Sequence, residues 1–228
     1  MARHGEDKTL KRLSAPKRVA VPRKDNVWLV KPSAGPHPAS EGMAILVALR
    51  DYLGVVRDSR EGKKILKMGE ILVDGRKVGD YKFPVGFMDV IEIPKLGKKF
   101  LVIFDNRGYL RLEETDRDYK LCKVKRKVTV AGGKTQITLH DGRTMLVDPG
   151  LCKVGDTLKV SLKDRKVLEV YPLKEGAEVF IVRGTHTGAK GKVKAIIPGT
   201  SNSEALVDVE GDDGVFRTLK DYVFVMGG

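Results

Sequence analysis

Arg60, Lys63, Lys64 and Lys67 stand at i, i+3, i+4 and i+7, so a helix drawn through them carries four cations down one face. The chemistry open to such a stripe is docking on phosphates, whose condensed counterions are released when the cations arrive. Like charges one turn apart repel, and no carboxylates run down the same stripe to relieve them. The same residues admit a second reading, an ordinary solvated helix whose lysines keep the chain in solution.

The element that must position these cations is bounded by Ser59 as its N-cap and Gly69 at its end, with Ile65 and Leu66 on the opposite face. Beyond Gly69 the pattern changes to alternation. Ile71 and Val73 fall on one side of a short strand, and Asp74-Gly75 supplies the left-handed pair that a two-residue hairpin needs, followed by Arg76. Ser40 to Leu53, apolar almost all round, reads as a buried helix, and Val85 to Ile93 as a closing strand.

The whole chain tilts the same way. Its 228 residues hold 43 Lys or Arg against 30 Asp or Glu, a net charge of +13, and 41% are hydrophobic. That length can carry more than one small domain with a real core, and that charge favours polyanionic partners, nucleic acid first. The two cysteines, Cys122 and Cys152, are too few for a disulfide framework or paired zinc knuckles and read as small buried residues. No structural metal and no cofactor are expected. The chain has no apolar run of transmembrane length, no basic amphipathic helix with an aromatic face, and no apolar signal-peptide core at its N-terminus, which predicts a cytoplasmic protein without membrane contact.

Residues 1–40 carry nine Lys or Arg against three acids, with Pro16, Pro22, Pro32, Pro36 and Pro38 forbidding a continuous helix. This predicts an extended arm without its own core, ordered by lying on an anionic surface and docked where Val27-Trp28-Leu29-Val30 turns apolar. From 94 to 172, short apolar runs alternate with turns at Asn106-Arg107-Gly108, Gly132-Gly133, Asp141-Gly142 and Asp164-Arg165, the spacing of an antiparallel β domain. Lys120, Lys123, Lys125, Arg126 and Lys127 cluster there, either as an RNA contact or as a charged edge strand that discourages aggregation.

Catalysis finds no support. His4, His37, His140 and His186 are scattered, with no pair at metal-ligand spacing and no evident Ser or Cys partner, and Gly184 to Gly191 lacks the lysine register of a phosphate loop. His140, beside Asp141-Gly142, reads as a hairpin residue. No enzyme and no small-molecule substrate are expected.

Several segments resemble known families. Ser59 to Val78, followed by Pro84-Val85-Gly86-Phe87-Met88-Asp89-Val90-Ile91, resembles the alpha-L RNA-binding module, in which two helices and a small sheet grip structured RNA. Gly176-Ala177, Val179, Ile181, Gly184, Gly188, Gly191 and Val193 resemble a KOW motif, the strand-loop-strand piece of an SH3-like barrel, with Arg183, His186, Lys190, Lys192 and Lys194 crowding the loop and its exit strand. A KOW loop binds RNA in some proteins and protein in others.

Leu121-Cys122-Lys123-Val124, Lys134 to Leu139 and His140-Asp141-Gly142-Arg143 are similar to the central domain of the archaeal and eukaryotic type of small-subunit ribosomal protein four. Leu10-Lys11-Arg12-Leu13, Ala15-Pro16-Lys17, Pro22-Arg23-Lys24 and Lys31 to Pro38 resemble that family's N-terminal arm.

The resemblance implies an α+β, mostly β chain: an extended basic arm over 1–41, an alpha-L RNA-binding module over 42–93, an antiparallel β central domain over 94–172 and a C-terminal KOW SH3-like barrel over 173–228. It implies a structural constituent of the small ribosomal subunit, partnered by small-subunit ribosomal RNA and neighbouring ribosomal proteins and not by further copies of itself. A C-terminus without a long basic tail points to an archaeal member. The expected rRNA contacts are Lys8, Lys11, Arg12, Lys17, Arg18, Arg23 and Lys24 in the arm, and Arg60, Lys63, Lys64, Lys67 and Arg76 in the module. Lys123, Lys125 and Arg126 follow in the central domain, and Arg183, His186, Lys190 and Lys192 in the barrel. The competing readings are a KOW-containing transcription factor and an alpha-L RNA-modification protein.

Overall fold

Leu10 and Leu29 face each other across two very short strands, β1 (Leu10–Lys11) and β2 (Trp28–Leu29), and Leu29 is buried. Ala15, Val19 and Val21 between them are buried as well. The computed structural model describes residues 9–200, 203–211 and 214–227, and the chain divides into two units. The first runs to Ile103 and takes in Tyr109–Asp116, and the second holds Phe104–Gly108 and the chain from Arg117 onward.

The arm is therefore not an extended tail without a core. It is folded onto the first unit: the amide of Ala20 donates to the hydroxyl of Tyr52 at 2.7 Å, that of Ser33 to the carbonyl of Lys82 at 2.9 Å, and that of Leu110 to the carbonyl of Arg18 at 2.8 Å. Its apolar residues are separated by prolines and bury one at a time, so they leave no periodic face in the sequence.

The rest of the unit comprises β3 (Met43–Ala44), α1 (Ile45–Val47), α2 (Ser59–Lys67), β4 (Leu72–Val73), β5 (Arg76–Lys77), β6 (Pro84–Val85), β7 (Val90–Ile93), β8 (Lys98–Phe104) and β9 (Leu110–Glu114). Two expected elements are revised here. The helix predicted from Ser40 begins only at Ile45, because Met43 and Ala44 pair with Val85 and Pro84 as a strand; it then widens into a π-helical turn over Ala48–Tyr52. The single closing strand from Val85 to Ile93 is two strands, β6 and β7, separated by a turn in which Met88 takes a φ of 67°. Asp89 holds that turn, its carboxylate accepting from the Gly86 amide at 2.9 Å and lying 2.9 Å from Nε2 of buried His37.

The five-stranded sheet runs β5-β4-β7-β8-β9. Val90 to Ile93 pair with Leu101 to Lys98, so residues 98–114 continue the module's own sheet and the boundary expected after residue 93 falls later in the chain. Asp74 and Gly75, at φ 50° and 71°, make the predicted left-handed pair between β4 and β5.

The second unit contains two sheets. The first, in the order β12-β11-β10-β13-β14, is built from β10 (Tyr119–Thr129), β11 (Thr135–Leu139), β12 (Thr144–Val147), β13 (Thr157–Ser161) and β14 (Val167–Tyr171), all antiparallel. Cys122, Val124, Ile137, Leu139, Cys152, Leu158 and Val160 form its core. Both cysteines are free thiols, and burial pushes that of Cys152 up. The Asp141-Gly142 turn differs from the first hairpin: only Gly142 has a positive φ, and the Leu139 amide bonds the Arg143 carbonyl around a three-residue loop.

The second sheet runs β18-β17-β16-β15-β19, from β15 (Glu178–Ile181), β16 (Lys190–Ile197), β17 (Leu206–Gly211), β18 (Gly214–Leu219) and β19 (Val223–Gly227). Val179 and Ile181 of β15, Val193 of β16, Val207 and Val209 of β17, and Val223 and Val225 of β19 meet in one core, so the sheet curls around them. The chain is mostly β, as expected.

Candidate nucleic-acid interface

The cationic helix is built from its cap outward. Asp58, not Ser59, is the N-cap: one carboxylate oxygen accepts from the amides of both Arg60 and Glu61 at 2.8 Å. The Glu61 amide, with that of Arg60 and the Arg60 charge, holds the Asp58 carboxyl below the usual carboxylate range against the opposing effect of desolvation. Glu61 in turn accepts from the amide of Arg57, the residue before the cap, at 2.8 Å. Ser59 instead accepts from the Arg50 guanidinium at 3.1 Å.

Leu66 is fully buried, and Gly62 sits so close to Leu46 that a Cβ would collide with it. That close approach turns the other face outward, and Arg60, Lys63, Lys64 and Lys67 are all exposed. The Lys63 ammonium stands 4.4 Å from the centre of the Tyr81 ring, with Lys82 at 5.7 Å from the same ring. Arg76 and Lys77 are exposed on β5, and the Lys77 stem packs beside Gly69 at the helix end. Tyr81, Lys77 and Lys82 join this surface without having been anticipated. The only sequence sign was Lys77 following Arg76 in the hairpin.

The arm divides its cations between structure and surface. Arg12 is 2% exposed; one of its nitrogens lies 3.0 Å from Oδ1 of Asp51 and another donates to the carbonyl of Pro22. It is a structural ion pair and not a phosphate ligand, a correction to the expected contact set. Arg23 is also turned inward, its guanidinium donating to the carbonyls of Ala15 at 2.6 Å, Pro16 at 3.1 Å, and Arg12 and Val19 at 3.3 Å. Lys11, Lys17 and Lys24 are exposed and Arg18 is half-buried, while Lys8 lies outside the described residues.

In the second unit β10 is the central strand of its sheet, pairing with β13 over Tyr119–Lys123 and with β11 from Val124 to Thr129. Lys120 is buried, 3.1 Å from the equally buried Asp141; burial alone would raise the Asp141 carboxyl, but Lys120, His140 and Arg143 outweigh it and hold it low. Lys123, expected to touch RNA, is 4% exposed and donates to the carbonyls of Lys220 at 3.0 Å and Asp221 at 2.7 Å, pinning the central sheet to the turn that leads into β19. Burial pushes its ammonium down to about 8, the Asp221 charge opposing and Lys125, Lys220 and Arg183 adding to the shift.

Lys125, Arg126 and Lys127 are exposed in succession, just where the pairing with β11 shifts register between Val124 and Arg126. Lys127 donates to the Cys152 carbonyl at 3.1 Å. On the β15–β16 loop, exposed His186 stacks on Phe216 with centroids 4.2 Å apart, and Lys190 and Lys192 are exposed on β16. Arg183 is half-buried, 3.7 Å from Asp221.

These surfaces can bind anions but are poorly arranged for catalysis. A cavity of about 510 Å³ in the second unit is lined by Lys123, Arg183, Lys220 and Asp221, yet Lys123 and Arg183 are engaged with the Lys220–Asp221 segment itself. His140 accepts from the Lys123 amide at 3.3 Å and sets its ring edge-on to Phe224, the hairpin role expected of it. Among the described residues no cluster of three or more His, Cys, Asp or Glu could hold a metal.

The model of the ribosomal family S4e matches residues 96–167, and that of the RS4NT (NUC023) domain matches residues 4–40. The small ribosomal subunit protein eS4 of Methanothermobacter thermautotrophicus is 42% identical across all of this chain and 95% of its own length. The chain belongs to the S4e family. The eS4 protein of Archaeoglobus fulgidus is 44% identical over 95% of this chain and 92% of that one. The crystal structure of the 30S ribosomal protein S4e from Thermoplasma acidophilum, 37% identical, superposes with a TM-score of 0.70 over 82% of this chain and 96% of that one. Both eS4 relatives are archaeal, and S4e is a structural, non-enzymatic family. The S4e match from 96 to 167 spans the end of the first unit's sheet and nearly all of the central sheet.

Proposed function

We propose that this S4e chain is a structural constituent of the small ribosomal subunit that holds folded rRNA through several basic surfaces at once, supporting assembly of the subunit and translation. The observation that carries the reading is the α2 face, where Arg60, Lys63, Lys64 and Lys67 stand exposed with their helix anchored by Leu66 and Gly62 on the other side. The alpha-L module is the structural setting for that face. Lys125 and Arg126 on the central sheet, and His186, Lys190 and Lys192 at the KOW loop, supply further surfaces.

Each contact is modest and salt-sensitive, and tethering on one chain raises the effective concentration of the others. Specificity comes from RNA shape and from unpaired loops, because the deep, narrow major groove of A-form RNA admits few side chains. Neighbouring ribosomal proteins meet the remaining surface.

High-salt gradient sedimentation with immunodetection tests the reading. The chain is expected to remain with small subunits. Co-migration with RNA polymerase would support a KOW transcription factor instead, and release from the RNA with turnover on a pure transcript would support a modification protein.

A further inference from the structure

Leu29 of β2 faces inward opposite Leu10, so Trp28 must face outward opposite Lys11, and it is 56% exposed. Leu13 and Val27, close by in the chain, are 71% and 66% exposed, and the Arg12 amide bonds the Val27 carbonyl at 2.9 Å to hold the two stretches side by side. A single exposed apolar residue is commonplace, so what sets Trp28 apart is the cation held opposite it on a hydrogen-bonded ribbon.

The charge around this surface selects the kind of partner. Lys11 stands directly across from the indole, with Cβ atoms about 5 Å apart in such a pair, and Lys17 and Lys24 are exposed in the same segment. A flat aromatic face beside an ammonium on a four-carbon stem matches the two halves of a nucleotide. A base lies on the ring, and its phosphate meets the cation.

We propose that Trp28 and Lys11 form a nucleotide-stacking site that takes an unpaired base of structured RNA. The site rests on the RNA-binding reading above and adds a ligand contact within the arm. Stacking tolerates any base, since each has a π face, so the site fastens the arm to a loop or bulge without reading its sequence.

Trp28 is the only tryptophan in the chain, so its emission reports this site alone. Full-length protein is titrated with in vitro transcribed small-subunit rRNA, following Trp28 emission and the salt dependence of affinity. Saturation should quench the emission. Trp28→Ala should weaken binding at least about fivefold with the salt slope unchanged, since every cation that meets a phosphate is still in place, and Trp28→Phe should recover part of the affinity. Lys11→Gln should instead lower the slope by about one.

If the wild-type chain binds rRNA but its emission does not change, or Trp28→Ala binds within twofold of wild type with its fold intact by circular dichroism, the stacking site is wrong while the RNA-binding reading stands. Emission unmoved by rRNA but shifted when other ribosomal proteins are added assigns the surface to a protein and overturns the proposal. Failure of the wild-type chain to bind rRNA overturns both.

Discussion

The Arg12 guanidinium lies 3.0 Å from the Asp51 carboxylate across 39 positions of sequence, and a second Asp51 oxygen takes Arg50 at 2.9 Å. Through this pair the arm is fastened to the π-helical turn that follows α1. Replacing Arg12 with Met leaves Asp51 short of a buried partner and the Pro22 carbonyl without its donor. The expected cost is about 3 kcal/mol of stability, measured by urea unfolding. A change below about 0.5 kcal/mol would show the pair to be incidental to the fold.

Deleting residues 1–40 should destabilise the first unit. The deletion removes buried Val19, Val21, Leu29 and His37, and with them the covering of Asp89 in the turn between β6 and β7. A lower melting temperature and loss of a cooperative transition for that unit are expected by calorimetry. A truncated chain that melts like the full one would return the arm to the status of a tail.

Lys123 makes stability depend on pH at the alkaline end. The unfolded chain keeps this proton up to 10.5 and the folded chain releases it from about 8, so between those values the unfolded state holds more protons and stability rises with pH. The gain attributable to Lys123 from about pH 8 to about pH 10 is on the order of 2 kcal/mol. Comparing wild type with Lys123→Met in urea at both ends isolates it, because the other titrating groups are common to both. A difference between the two proteins that stays constant with pH would remove Lys123 from the account.

Lys63→Glu with Lys67→Glu should leave the fold intact, since both side chains are exposed, and should weaken rRNA binding. The salt dependence should flatten by about one unit of slope for each phosphate that no longer meets a cation. Filter binding across a salt series reads both quantities. Unchanged affinity and slope would take α2 out of the interface.

Where periodicity or turn chemistry acts within a few residues, the sequence was readable. The α2 stripe, its end at Gly69, the Asp74-Gly75 hairpin and the β runs after residue 94 all follow from neighbours in the chain. The cap shifted by one residue because Asp58 and Ser59 are both capable, and the local geometry put the Asp58 oxygen between two amides. Lys123 and Arg12 were misread for another reason. Both sit in basic runs, and a cation's destination depends on which carbonyls or carboxylates lie opposite it after folding: Lys220 and Asp221 for the one, Pro22 and Asp51 for the other.

By itself the sequence determined the surplus of positive charge, the β runs after residue 94 and the helix face that displays four cations, because each arises from composition or from short-range spacing. The tertiary structure decided which cations are free to meet a partner, that the arm is part of the core, and that residues 98–114 extend the first sheet. Those outcomes rest on contacts between residues far apart in the chain, and desolvation makes an ammonium or guanidinium that finds an oxygen in the interior a fastening, while the same group left in water remains a ligand.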